Sequence, residues 1–461
     1  MADAEFWREA EALLGARLVR SSADCAVHGQ SETWFALTPP DAVAYPESTG
    51  EVAALMRLCA AYRVPVTGWG AGTSLEGHAL AVQGGVVVDF ARMNRVLEIR
   101  PEDRLVKVEP GLTREALNTE LRASGLFFPV DPGANATLGG MAATRASGTT
   151  TVRYGSMRDN VAGLEVVLAD GRVIHTGSGA AKSASGYDLT ALMLGSEGTL
   201  GLITGLTLRL HAQPEAISAA VCAFDTFEAA VETVQLVIQM GIPMARIEFV
   251  DEDIARMFNA MNGTHMPEKP HLLIEFHGSE AGVAEDSRRF GEVVEEMGGA
   301  DFEWATTTEA RNRLWKMRHG AYSSCLAWRP GCMGLVTDVC VPISRLAEAV
   351  ARGRALIAAA GLTGPILGHV GDGNYHAILL LDRDDAEELH RAKQVAHDLA
   401  AMALEMGGTI TGEHGVGLGK RGLMEEEHGP AWAVMGQIKA ALDPLNLLNP
   451  GKLVPEPEER A

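Results

Sequence analysis

Residues 64–90 read VPVTGWGAGTSLEGHALAVQGGVVVDF: a short β-branched run, a loop with three glycines and two hydroxyl side chains, and a second apolar run. Closely spaced glycines let several backbone N–H groups converge on one anion without Cβ clashes, so Gly70, Ala71, Gly72, Thr73 and Ser74 form a candidate phosphate loop. A plain glycine-rich turn is the alternative. The loop is not the Rossmann fingerprint, because Gly68-x-Gly70-x-x is completed by Thr73 and strand-like rather than helical sequence follows.

Outward from this loop the chain mixes helices and strands. Upstream, Ser48 with Glu51 three residues on is a capping-box pattern, and it opens a helix over 49–62 with Val52, Leu55, Met56 and Cys59 on one face. Residues 1–37 are expected as a helical lead-in and loop. Downstream, 86–90 and 105–111 read as strands, with a short helix over 113–124. Residues 161–177 form a hairpin turning at Ala169-Asp170-Gly171, and GTLGLITGLTLRL supplies another strand. After Gln213-Pro214 the strands AAVCAF, ARIEFV and HLLIEFHG alternate with helices at about 225–240, 281–297, 308–328 and 344–360.

Three further motifs carry chemistry. The run from Asp131 through Gly140 to Gly148 and Gly155 is long and built of small residues, too poor in large side chains to be core. Such backbone suits a flat aromatic cofactor, and an ordered surface loop is the alternative. Gly368-His369-Val-Gly-Asp-Gly-Asn-Tyr-His376 and Thr411-Gly-Glu413-His414 place three imidazoles and a carboxylate in glycine-rich turns, a candidate divalent-metal site. Adjacent residues in extended chain point opposite ways, so one of Glu413 and His414 ligates while the other faces the reacting group. Histidines that merely pack or cap are the alternative. Arg318 shares a helix stripe with Leu314 and Tyr322; pointed inward it would need an anion such as a substrate carboxylate, and a solvated arginine or an internal ion pair is the alternative. Gly417-Leu-Gly-Lys-Arg-Gly422 matches G-x-G-x-x-G by spelling only, since no apolar strand precedes it.

Composition excludes other classes. With 461 residues, 47% of them apolar, the chain can bury a large core. Its net charge of −21 opposes nucleic-acid binding and adsorption to anionic lipid. The six cysteines form no C-x-x-C, which argues against iron–sulfur ligation and suits a reducing compartment. No signal peptide and no membrane-spanning run is read, so a cytoplasmic location is expected, peripheral at the inner membrane at most.

The order GWGAGTSLEGHAL, DPGANATLGGMAATRASG, GSEGTLG, GHVGDGNYH, TGEHGVG and Asn449-Pro-Gly-Lys452 resembles the FAD-linked D-lactate dehydrogenases. These are flavoproteins of the vanillyl-alcohol-oxidase type, alongside glycolate oxidase flavoprotein subunits and D-2-hydroxyglutarate dehydrogenases. The resemblance implies an α+β fold: a two-part FAD-binding domain of that type (38–214, completed by a C-terminal segment, 411–461) with an inserted antiparallel α+β substrate domain (215–410). It implies that Gly70 to Ser74 hold the FAD pyrophosphate and that Pro132, Gly133, Thr137, Gly140, Gly148 and Gly155 line the flavin and ribityl chain. Glu197, Gly198 and Ile203 would lie toward the adenine, Asn449 would reach the flavin, and His78 would stand where some of the superfamily attach flavin covalently, here with dissociable FAD expected.

By the same resemblance His369, His376 and Glu413 are the ligands of one divalent metal (zinc, manganese or iron), His414 is the general base and Arg318 the carboxylate clamp. The implied reaction oxidises a small D-2-hydroxy acid to the 2-oxo acid, with hydride passing to flavin N5 and electrons then to a separate acceptor: a cytochrome, a quinone or an electron-transfer flavoprotein. A homodimer is compatible. Hydroxyglutarate-type relatives carry Lys and Asn where this chain has Val336 and Ile378, which favours a monocarboxylate. The alternatives are a glycolate oxidase flavoprotein subunit, a D-2-hydroxyglutarate-type dehydrogenase, or a non-catalytic flavin- or metal-binding protein.

Overall fold

The amphipathic start of the chain forms the helix Ala4–Leu14, capped by Asp3, and buries Phe6, Trp7, Ala10 and Leu14. These side chains pack on the helix Thr49–Tyr62, where Phe6 meets Tyr62 edge to face. Ser48 caps that helix as its sequence predicts, accepting from the Glu51 N–H at 3.3 Å. The Glu51 carboxylate does not return to Ser48. It takes the Glu47 N–H and a bidentate Arg17, because the guanidinium is the stronger partner.

The computed structural model describes residues 3–30 and 32–456; residues 1, 2, 31 and 457–461, parts of the expected lead-in and tail, lie outside that description. Two units divide the chain: Met1–Ser147, Gly155–Gln213 and Glu413–Ala461 make the first, Gly148–Tyr154 and Pro214–Gly412 the second. The lead-in therefore packs within the first unit, and seven residues of the small-residue run belong to the second.

Among the described residues the first unit holds a two-stranded pair, Leu126–Phe127 with His211–Ala212, and two larger sheets. In one, Val86–Asp89 runs parallel to Ala42–Ala44 and to Val66–Trp69, with Leu18–Val19 antiparallel at the edge. The C-terminal tail joins this sheet: Leu448 bridges Val66, and the Asn449 N–H donates to the Val66 carbonyl at 2.8 Å. The other sheet is antiparallel and ordered Val96–Arg100, Leu105–Val108, Leu202–Arg209, Val161–Val167, Val173–Gly177, and it includes the expected hairpin.

Val96–Arg100 is a strand the sequence did not announce, since its side chains are largely exposed and show no burial alternation. The small-residue run is also corrected. It folds into the short helices Leu138–Thr144, Thr151–Tyr154 and Met157–Asn160, and Leu138, Met141, Ala142 and Met157 are core. Small residues let this backbone pack close beneath the sheet, so the few large ones reach the interior.

The second unit is an eight-stranded antiparallel sheet. Seven strands run Ala300–Ala305, Ala216–Ala223, His271–Gly278, Arg246–Val250, Ile366–Gly368, Asn374–Asp382, Cys332–Val336, and Val339–Cys340 pairs beside Asn374–Asp382. Helices cover both faces. Phe276 meets Phe290 of the helix Glu280–Glu296 on one side, while Leu273 on the other packs with Leu314 and Trp315 of the helix Thr308–Trp328. This alternation aims every second residue of Arg246–Val250 and His271–Gly278 at Thr308–Trp328. No helix among the described residues is long and apolar enough to cross a membrane.

Candidate active site

In the first unit, Val66–Trp69 delivers the chain into the glycine loop. Thr137 caps Leu138–Thr144 by accepting from the Gly140 N–H at 3.3 Å, and its Oγ1 lies so close to Gly70 that a Cβ there would overlap it. Gly72 turns the loop with a φ of +71°, folded against the Trp69 indole. Ala71, Thr73 and Ser74 follow on a half-buried to exposed rim. The structure thus brings the Gly70–Ser74 loop, Thr137 and Gly140 together as a cradle that side chains would fill. Pro132 is half-buried and Gly133 is exposed, with nothing near its missing Cβ. Ile203 packs into the core.

Two glycines have local reasons of their own. Gly155 (φ +75°) lies against Asp159, which forms a capping box with Ser156, and within the second unit the Gly148 N–H donates to Thr151 Oγ1 at 2.9 Å.

Behind the cradle Glu197 ties the C-terminal segment in place. Its carboxylate accepts from the Val416 and Gly417 N–H groups at 2.7 and 2.8 Å, and its carbonyl accepts from Asn449 Nδ2 at 2.6 Å. Burial pushes its pKa up, but His78 and the two backbone donors outweigh that and hold it below the ordinary value. Asn449 also donates to the His78 carbonyl, and its Oδ1 accepts from Lys452 Nζ at 2.6 Å. These bonds commit Glu197 and Asn449 to protein partners, with Gly198 turning at φ +72° beside the Asn449 amide. The His78 imidazole is buried, and neither ring nitrogen makes a protein hydrogen bond; Nε2 stands 3.2 Å from Glu197 without the alignment of one. A buried polar ring left so, four residues after the glycine loop, fits a cofactor with polar edges.

The G-x-G-x-x-G spelling at 417–422 has a packing reason: the Leu418 and Gly419 N–H groups donate to the Glu76 carbonyl. Glu413 opens the same segment and accepts from Ser147 Oγ at 3.2 Å, and His414 follows it, half-buried.

The second unit supplies the other residues. His369 follows Ile366–Gly368, and His376 stands on Asn374–Asp382, their rings 5.5 Å apart and nearly perpendicular. His376 Nδ1 donates to the Thr337 carbonyl at 3.0 Å, and His369 Nδ1 donates to Glu248 Oε1 at 2.7 Å. Those acceptors set the tautomer in which each neutral ring presents a lone pair at Nε2, the form a metal ligand needs.

Arg318 does face inward: its Nε donates to Glu248 Oε2 at 2.7 Å. Its Nη1 and Nη2 take no protein partner among the described residues, so an ion pair and a carboxylate clamp are both available to one side chain. Tyr322, further along the expected stripe, is exposed instead.

Sequence reading missed Glu248, Asp338, Asn374, Glu275 and Arg246. Asp338 accepts from Asn374 Nδ2 and Thr411 Oγ1, both at 2.7 Å, which fixes the chain just before Gly412. Glu275 accepts from His277 Nε2 and Trp315 Nε1, with Tyr154 bonded to His277 Nδ1 and the Arg246 guanidinium over Trp315. The available signal was a lone acid inside an otherwise apolar strand, as in ARIEFV, HLLIEFHG and VTDVCVP.

Comparison with known proteins matches the chain in two stretches. A family model described as FAD binding domain matches residues 40–177, and one described as FAD linked oxidases, C-terminal domain, matches 213–453. A probable mitochondrial D-lactate dehydrogenase of Danio rerio is 50% identical over 93% of this chain and 87% of its own length. The mitochondrial D-lactate dehydrogenase [cytochrome] of Arabidopsis thaliana is 44% identical over 93% and 76%. Glycolate oxidase subunit GlcD of Bacillus subtilis is 34% identical over 94% and 93%. Among solved structures, an alkyldihydroxyacetonephosphate synthase aligns with TM-score 0.78 at 20% identity, covering 98% of this chain and 86% of its own. A p-cresol methylhydroxylase aligns with TM-score 0.77 at 17% identity, covering 98% and 97%.

Proposed function

The chain belongs to the FAD-linked oxidases, with the D-lactate dehydrogenases among its relatives, and from that membership we propose that it oxidises a small D-2-hydroxy monocarboxylic acid, D-lactate or a near relative, to the 2-oxo acid. When bound in the glycine cradle, FAD supplies the sink for the two electrons and the Cα hydrogen. The chain's own residues do the rest. Arg318 receives the substrate carboxylate on Nη1 and Nη2 while Glu248 holds Nε. His414 accepts the proton of the 2-hydroxyl as general base. His369, His376 and Glu413 would hold one divalent cation of zinc, manganese or iron type, whose chemistry there is to lower the pKa of that hydroxyl. The lone-pair tautomer imposed on both histidines supports this reading.

The substrate class rests on one observation above the others. Val336 pairs directly with Ile378 across two strands, both side chains join an apolar cluster, and Ile378 is two residues from His376 on the same face. A second carboxylate buried there would have no partner. Electrons leave to a separate acceptor, since the sequence carries no haem or iron–sulfur motif. A cytoplasmic setting, peripheral to a membrane at most, is part of the reading, supported by six cysteines that are all free. The Danio and Arabidopsis relatives are by name mitochondrial.

The test is anaerobic bleaching of the bound flavin by D- and L-lactate, D-2-hydroxybutyrate, glycolate and D-2-hydroxyglutarate. Fast bleaching by the D-monocarboxylates is expected. Preference for glycolate would move the chain to the glycolate oxidase reading, and no bleaching by any acid would make it a binding protein.

A further inference from the structure

We propose that Glu248 is a positioning residue shared by two parts of the reaction: one carboxylate sets both the guanidinium that receives the substrate's carboxylate and the imidazole that ligates the metal. The inference rests on the roles given above to Arg318 and His369. Glu248 sits in the middle of Arg246–Val250, a strand buried within the sheet, and its side chain has no solvent exposure. Its two oxygens are divided between two other elements. Oε2 accepts from Arg318 Nε of Thr308–Trp328 at 2.7 Å, and Oε1 accepts from His369 Nδ1, just past Ile366–Gly368, at 2.7 Å.

The backbone holds this arrangement in place. Phe249 pairs with Gly368 across the two strands, so Glu248 and His369 have a fixed register, and Arg318 is locked on a helix whose Leu314, Trp315 and Met317 are core. Each bond selects a function in its partner. Accepting at Nδ1 makes His369 present the Nε2 lone pair, and accepting at Nε turns the Nη1–Nη2 edge of Arg318 outward for a second carboxylate. A carboxylate that merely neutralised a buried arginine would leave metal affinity untouched, which separates the two roles.

The experiment uses the FAD-loaded chain and its Glu248→Gln and Glu248→Asp variants, each stripped by chelator and then titrated with Zn²⁺ and with Mn²⁺ in separate series. Bound metal is read by atomic absorption, and the KM for D-lactate is measured at saturating metal. In Glu248→Gln the amide NH₂ must face either the His369 N–H or the Arg318 N–H, and in Glu248→Asp the shorter acid spans only one of the two. Metal affinity is expected to fall on the order of 10–100-fold, and KM to rise at least about tenfold, with FAD content and thermal midpoint showing that the fold is retained. Either quantity staying within twofold of wild type in both variants overturns the proposal. His369→Ala and Arg318→Ala run alongside: unchanged metal binding in the first, or unchanged KM in the second, places the failure in the site reading and not in Glu248.

Discussion

His414 and Lys452 show how differently single residues carry this protein. His414 stands next to Glu413 and is read as the base, so His414→Ala should lower turnover by roughly 10²–10⁴-fold and leave the FAD absorbance per chain unchanged; parallel loss of both would make it structural. Lys452 is almost wholly buried, with Nζ donating to the Leu80 carbonyl and to Asn449 Oδ1. Burial pushes its ammonium down to about 7, against the pull of Glu197. The unfolded chain keeps that proton to ~10.4, so between the two values the unfolded state binds more protons and stability rises with pH. The rise is at most about 1.4 kcal/mol per pH unit, and below 7 the contribution is constant. Urea denaturation from pH 6.5 to 9.5 should show it, and Lys452→Met should flatten it; the same slope in both proteins would assign the effect elsewhere.

At the scale of elements, the proposed substrate choice is assigned to one antiparallel pair. Cys332–Val336 and Asn374–Asp382 set Val336 against Ile378, with His376 on the same face two residues away. Substituting Val336→Lys with Ile378→Asn should raise kcat/KM for D-2-hydroxyglutarate relative to D-lactate by about tenfold or more, from one charge-assisted pair in a low-dielectric site. Val336→Lys alone should cost on the order of a few kcal/mol in denaturant stability, because its ammonium would lack a partner. An unchanged substrate ratio in the double variant would separate this strand pair from specificity. The capping threonine belongs to the same scale. Thr137 ends a loop, starts a helix and closes on Gly70, so one hydroxyl joins two motifs 67 residues apart in sequence.

For the whole molecule, the proposed metal is the part of the reading that depends most on folding, because its proposed donors are far apart in the chain. Chelation of the purified protein should abolish D-lactate oxidation reversibly, with FAD retained and activity restored by Zn²⁺ or Mn²⁺; full rate after verified metal removal would discard the metal role. The C-terminal segment is equally a property of the whole. Lys439 Nζ bonds the Thr199 and Leu448 carbonyls, and Glu197 takes the Val416 and Gly417 N–H groups. Residues 413–456 thereby join the first unit, through Leu448 beside Val66 in its sheet and through the backbone N–H groups on Glu197.

Much of this was legible in residues alone. The helices at 49–62 and 308–328 came from apolar spacing and capping, the 161–177 hairpin from its Asp-Gly turn, and the glycine loop from backbone that leaves room for a ligand. Local rules suffice there, because the signal and the structure lie within a few residues of each other. Three things waited for the fold. The exposed strand Val96–Arg100 is held by its neighbour and not by its own pattern. The core role of Leu138, Met141 and Met157 depends on sheets formed elsewhere in the chain. Glu248, unremarkable as one acid in ARIEFV, became the hinge of a site only when a helix 70 residues on and a turn 121 residues on closed upon it. A buried charge is tolerated only with its partners in place, and partners so distant in sequence are chosen by tertiary packing.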